Sequence, residues 1–261
     1  MILKNNTMIT TNHLRSAYEN GSFSFGNSGA SSVICLVGSC RIVPILNYLR
    51  AYNDLNGHPF ELLCFNPVEM WRGVGTDVGD CATELLKNYR FGKVDFLVSE
   101  HTERCGALNT VAGVTPNIFD TLGCKPSLHV RLPNWNNMHM FDVETAMWDA
   151  SYANLVEEEK VSKLKQQSDL HKSRFISYCQ QCSFPEITDW VESEWLTTRM
   201  GWTSNHPSLP LLWRIFNGVA GKLGITITPE LAAHPMCMTD VYASTGIQLN
   251  KIDYEANNWK Y

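Results

Sequence analysis

Val33-Ile34-Cys35-Leu36-Val37 is an unbroken apolar run of strand composition, and it stops at Gly38-Ser39-Cys40-Arg41. Ile42, Ile45, Leu46 and Leu49 then follow at helical spacing. A buried strand that feeds a tight glycine turn and then a helix is a unit of an open α/β sheet, and such sheets gather their chemistry at the carboxyl ends of the strands. Cys40 is thereby expected at or near the helix N-terminus. The positive end of the helix dipole and the unpaired N–H groups there favour an anion, including a thiolate. The competing reading of Cys40 is a buried, inert thiol.

The same alternation continues along the chain. Phe60 to Phe65, Val94 to Ser99 and Ser127 to Leu132 are further strands, and Thr83 to Tyr89 is an expected helix. Strands separated by helical stretches predict a three-layer α/β domain: an open, mainly parallel sheet with helices on both faces. Residues 1–30 are rich in Asn, Ser, Thr and Gly and are expected to be a flexible N-terminal arm. Residues 31–261 are expected to form a single domain. Within it, about 143–200 read as a helical cap, because Leu155 to Leu170 and Ile187 to Leu196 are charged helical patterns with sparse apolar positions. Pro207 to Leu223 is another helix, closed by Gly224.

Charge and cysteine usage narrow the functional classes. A net charge of -5 provides no bulk basic face for nucleic acid. The apolar stretches are too short to span a bilayer, and the start of the chain has no continuous apolar segment of the signal-peptide kind. Nine cysteines without a framework pattern point to reduced thiols in a cytoplasmic protein. Cys179-Gln180-Gln181-Cys182 lacks a second ligand pair, so no metal is expected there.

A nucleophilic cysteine needs a base that is distant in sequence and near in space. His206, in Thr203-Ser204-Asn205-His206-Pro207-Ser208, stands at a loop–helix junction and is the first choice. His101 and His139, each closing or following a strand, are the runners-up. Glu100, Arg104, Asn134 and Asn137 lie at expected strand ends, where they could orient a substrate.

The strand ending in Gly38-Ser39-Cys40-Arg41, the Leu132-Pro133-Asn134-Trp135 element, and the late His206-Pro207 before a helix closed by Leu223-Gly224 together resemble the WcbI-type polysaccharide biosynthesis family of acetyltransferases. More distantly the layout is similar to SGNH-type hydrolases with Cys in place of Ser. The resemblance spans roughly residues 32–224. It implies coenzyme A or acetyl-CoA as acyl donor and a sugar hydroxyl as acceptor. Cys40 is then expected as nucleophile with His206 as base, the alternative being direct attack by a His206-activated hydroxyl with Cys40 only shaping the site. Ser39 and Arg41 replace the family's Asn and Gln, and Arg41 could instead hold a phosphate or carboxylate. The backbone N–H groups of Ser39, Cys40 and Arg41, beside Gly38, are the expected oxyanion donors. Asn205, next to His206, is a further binding candidate.

Two other functions fit parts of the pattern. An SGNH-like esterase would use water as acceptor, but its usual Asp shortly before the His is replaced here by Thr203, Ser204 and Asn205. A non-catalytic glycan-binding protein could stack sugars on tryptophans such as Trp71, Trp135 and Trp202.

Overall fold

The computed structural model describes residues 7–19, 24–26, 29–66, 94–100, 127–135 and 138–261. They group into two compact units: Met1–Leu132 with Val219–Thr239, and Pro133–Gly218 with Asp240–Tyr261.

The first unit begins with helix α1 (Thr11–Glu19) and strand β1 (Ser24–Gly26), followed by β2 (Ser32–Val37), α2 (Ile42–Leu55), β3 (Phe60–Phe65), β4 (Phe96–Glu100) and β5 (Leu128–Leu132). The five strands form one sheet in the order β1-β3-β2-β4-β5. β2 runs parallel to both β3 and β4, and β4 parallel to β5, while β1 joins the β3 edge antiparallel. This is the α/β architecture expected from the alternation, with helices around a mainly parallel sheet. The unbroken apolar run at 33–37 exists because β2 has a strand on either side, and Ile34, Cys35 and Leu36 are fully buried. The expected helix at 83–89 lies outside the described residues.

The stretch 1–30 was expected to be a flexible arm, yet where it is described it holds a helix and an edge strand. Its order comes from tertiary bonds that local periodicity does not reveal. The buried Asn47 side chain accepts from Ile9 N–H at 2.8 Å and donates to Ile9 O at 2.9 Å. Arg50 adds a bond to Thr7 O at 2.7 Å, and Ile9 and Leu14 are buried. A second asparagine closes the connection from α2 to β3. Asn53 brackets Phe60 through both its side-chain atoms, while Gly57 and His58 take left-handed backbone angles of 72° and 59°.

The second unit contains α3 (Asp142–Trp148), α4 (Glu157–Gln181), α5 (Ile187–Glu194), the short hairpin β6 (Gly201–Thr203) and β7 (His206–Pro207), α6 (Leu209–Leu223) and α7 (Lys251–Asn257). α6 crosses the division, its last residues from Val219 belonging to the first unit. α4 buries only a sparse stripe, Leu164, Ser168, Phe175 and Cys179, in keeping with its charged sequence. Its upper half packs with Tyr152 and Ala256, flanked by Met140, Leu155, Val161 and Ile252. Among the described residues no helix is long and apolar enough to cross a membrane.

Candidate active site

The strand-to-helix turn is built around one carboxylate. Gly38 N–H still belongs to the sheet, donating to Phe65 O at 3.0 Å. β4 pairs Ser99 with Val37, so Glu100 arrives one residue later, beside Gly38. A Cβ on residue 38 would stand 3.0 Å from both Glu100 Cβ and Oε2, and 3.2 Å from Ile42 Cβ. Glycine is there because the carboxylate passes so close.

Glu100 Oε2 accepts from Ser39 N–H and from Ser39 Oγ, each at 2.8 Å. Its other oxygen forms an ion pair with Arg41 Nη2, and both side chains are withdrawn from solvent. Arg41 Nε donates to Ser39 Oγ at 2.8 Å, and Arg41 N–H approaches the same oxygen at 3.4 Å. A hydroxyl has one proton to give and two lone pairs, and Ser39 uses all three. The residues on both sides of Cys40 are therefore fastened to Glu100, and Cys40 is half-buried between them. Cys35, Cys64, Cys179, Cys182 and Cys237, the other cysteines among the described residues, are buried. Burial pushes the Cys237 thiol up to about 12 and raises Cys179 as well, with Cys182 adding to the latter.

This geometry changes three expectations. Arg41 does pair with a carboxylate, but with the protein's own. Glu100 faces inward at 2% exposure and is engaged with Ser39 and Arg41, not turned toward a substrate. Ser39 N–H and Arg41 N–H, expected as oxyanion donors, point to Glu100 and to Ser39 Oγ. The helix takes up the next two donors, Ile42 N–H bonding Ser39 O and Val43 N–H bonding Cys40 O. Pro44, in the first turn, has no N–H to leave unpaired. α2 begins directly after Cys40 and Arg41, which puts the positive end of its dipole at this turn.

His206 sits in the second unit, directly after the two-residue hairpin turn Ser204-Asn205. Its ring stacks on Tyr242, with centroids 4.6 Å apart and planes within 3°. Nδ1 lies 3.4 Å from Thr245 Oγ1, and the ring is partly exposed. The turn is held by Glu144, which accepts from Ser204 N–H at 2.9 Å and whose carboxyl is raised by burial. Asn205 is exposed and accepts from Thr203 Oγ1 at 2.8 Å. Below it, Asp240 Oδ2 accepts from Leu209 N–H at 3.0 Å, the first amide of α6, and from Trp202 Nε1 at 2.6 Å.

The remaining candidates divide clearly. Asn134 is buried at 2% exposure. His139 is completely buried between Trp195, Trp259 and Phe141, with ring centroids 4.5, 4.9 and 5.7 Å away, and neither ring nitrogen has a hydrogen-bond partner. Burial first, and the Arg199 charge second, depress it to about 3. A ring so enclosed cannot exchange protons with a substrate. His101, Arg104 and Asn137 lie outside the described residues. Among those described, no cluster of His, Cys, Asp or Glu could hold a metal ion. Tyr242, Thr245, Asp240 and Glu144 were not anticipated as partners of the His206 segment. Each contact joins residues more than thirty positions apart, and no motif marks them.

Against known proteins, no family model and no curated sequence matches this chain. Its fold is similar to a solved structure of WcbI, described as a novel polysaccharide biosynthesis enzyme in its native form without a disulfide bond between coenzyme A and one of its cysteines. The superposition covers 88% of this chain and 80% of that one, with a TM-score of 0.57 and 13% sequence identity. At that identity the likeness speaks to the fold.

Proposed function

We propose that the chain is an acyltransferase that takes an acetyl or other acyl group from coenzyme A and delivers it to a sugar hydroxyl in glycan biosynthesis. The observation that carries this reading is the half-buried Cys40, placed between two anchored residues at the end of a central parallel strand, whereas the other described cysteines are buried. The fold shared with WcbI supports it, since coenzyme A and a cysteine are named together for that enzyme.

In the proposed reaction Cys40 Sγ attacks the thioester carbonyl. A new C–S bond forms to Cys40, the bond to coenzyme A breaks, and coenzyme A leaves as a thiolate with the electron pair, to be protonated at the end of the cycle by the proton that His206 takes from the acceptor. The acceptor hydroxyl gives its proton to His206 and attacks the acyl-cysteine, which returns the Cys40 thiolate. Stacking on Tyr242 and the contact with Thr245 would fix the orientation of the imidazole.

Thiol release from acetyl-CoA, measured with and without sugar acceptors, tests this directly. Release should accelerate strongly with an acceptor, and Cys40→Ala and His206→Ala should each remove most of it. The double variant should lose little more, because residues acting as one unit are not additive. Rapid cleavage of simple esters by water, with no response to coenzyme A, would replace transfer by hydrolysis.

A further inference from the structure

We propose that the buried Arg41–Glu100 pair is a positioning device that also balances the charge felt by the Cys40 thiol, Arg41 favouring the thiolate and Glu100 opposing it. The inference rests on the reading of Cys40 as the reactive thiol and adds how its charge state is set.

Both members flank the cysteine. Arg41 follows it in sequence, and Glu100 holds Ser39, which precedes it, by two bonds of 2.8 Å. The two charges also meet each other, and Ser39 Oγ bridges them by giving its proton to Glu100 and accepting from Arg41 Nε. Both are almost fully withdrawn from water, so their own fields are weakly screened. The backbone donors at Ser39, Ile42 and Val43 are already bound, and the two side-chain charges and the helix dipole act at this turn. Among the described residues of the neighbouring strands, Glu61 is near the amino end of β3, Asp95 accepts from Val33 N–H before β4 begins, and β5 carries His129 and Arg131, the latter paired in register with Ser99. Arg50 and Asp54 lie more than two turns farther along α2.

A paired arrangement makes a prediction of opposite sign for its two members. Glu100→Gln leaves Arg41 uncompensated and should favour the thiolate. Arg41→Met leaves Glu100 uncompensated and should oppose it. Replacing both returns the local charge to zero. A residue needed only for folding would move the thiol in no such signed pattern.

The measurement is the rate of iodoacetamide modification at Cys40 across pH, followed by peptide mass spectrometry, with circular dichroism and thermal melts as folding controls. The midpoint should fall by about half a unit or more in Glu100→Gln and rise by a similar amount in Arg41→Met. The double variant should return near the wild-type midpoint. Either single variant that folds is decisive, since an unmoved midpoint or the reverse direction overturns the proposal. Should neither fold, Glu100→Asp keeps the charge while shortening the reach to Ser39. It must then leave the midpoint in place, and a shift there overturns the idea. Failure of wild-type Cys40 to react at all would instead sink the functional reading, so the two failures are distinguishable.

Discussion

Gly38 shows how much one residue can be asked to do at this turn. An alanine methyl there would press on the Cβ and Oε2 of Glu100 at 3.0 Å and on Ile42 at 3.2 Å. Glu100 cannot retreat without releasing Ser39 or Arg41, so Gly38→Ala should cost about 1–3 kcal/mol in urea unfolding. It should also slow alkylation of Cys40 by disturbing the turn. Gly221, where an added Cβ meets nothing within 4 Å, supplies the contrast. Alanine at that helical position should be neutral or stabilising by up to about 1 kcal/mol. The glycine turn and the cysteine were legible in the sequence because they are contiguous and follow an apolar run. The task of Glu100 was not, although its place at the end of β4 was expected. Its partners Ser39 and Arg41 are 61 and 59 residues away in sequence, and a charged residue at a strand end reads as a substrate ligand until its bonds are seen.

At the scale of elements, the four strands expected from apolar runs all form, and α6 ends where Gly224, at φ 69°, turns the chain. Its start differs from expectation. Pro207 pairs with Gly201 in the hairpin, so the helix opens at Leu209 and Pro210 occupies its first turn. The cap comes from Asp240, 31 residues onward, which no local pattern signals. Because its carboxylate serves the α6 amide, the Trp202 indole and Tyr242 N–H, Asp240→Ala should strand three donors and destabilise the protein by about 1–3 kcal/mol. Asp240 Oδ1 also accepts from Tyr242 N–H at 3.2 Å, and Tyr242 carries the His206 ring. The variant should therefore lose His206-dependent turnover beyond its loss of stability. Thermal melts paired with acceptor-dependent thiol release separate the two effects. The N-terminal segment illustrates the same limit, since Asn47 and Arg50 fasten it through side-chain bonds to backbone that leave no periodic trace.

For the molecule as a whole, the division into two units has a spectroscopic consequence. Seven of the eight tryptophans, at 135, 148, 190, 195, 202, 213 and 259, belong to the second unit, so indole fluorescence mainly reports its unfolding. His139 lies in the same unit, enclosed by two of those indoles and Phe141. Its folded value is depressed to about 3 from an ordinary 6.5, so the unfolded chain binds the proton more readily. The contribution is then fully present above about pH 6.5 and is lost progressively as pH falls toward 3. The slope from this one group is at most about 1.4 kcal/mol per pH unit. Glu144 and Asp253, whose carboxyls burial raises, act in the opposite sense, since their protonation on acidification relieves a buried charge. The comparison that isolates His139 is therefore between wild type and His139→Phe, which keeps an aromatic ring and removes two unpartnered polar atoms. Urea unfolding followed by tryptophan fluorescence from pH 7 to 4 should show wild type losing stability relative to the variant, by several kcal/mol at the acid end. Parallel curves across that range would mean that His139 does not stay neutral in the folded state or does not remain buried, and would remove it as the source of acid lability.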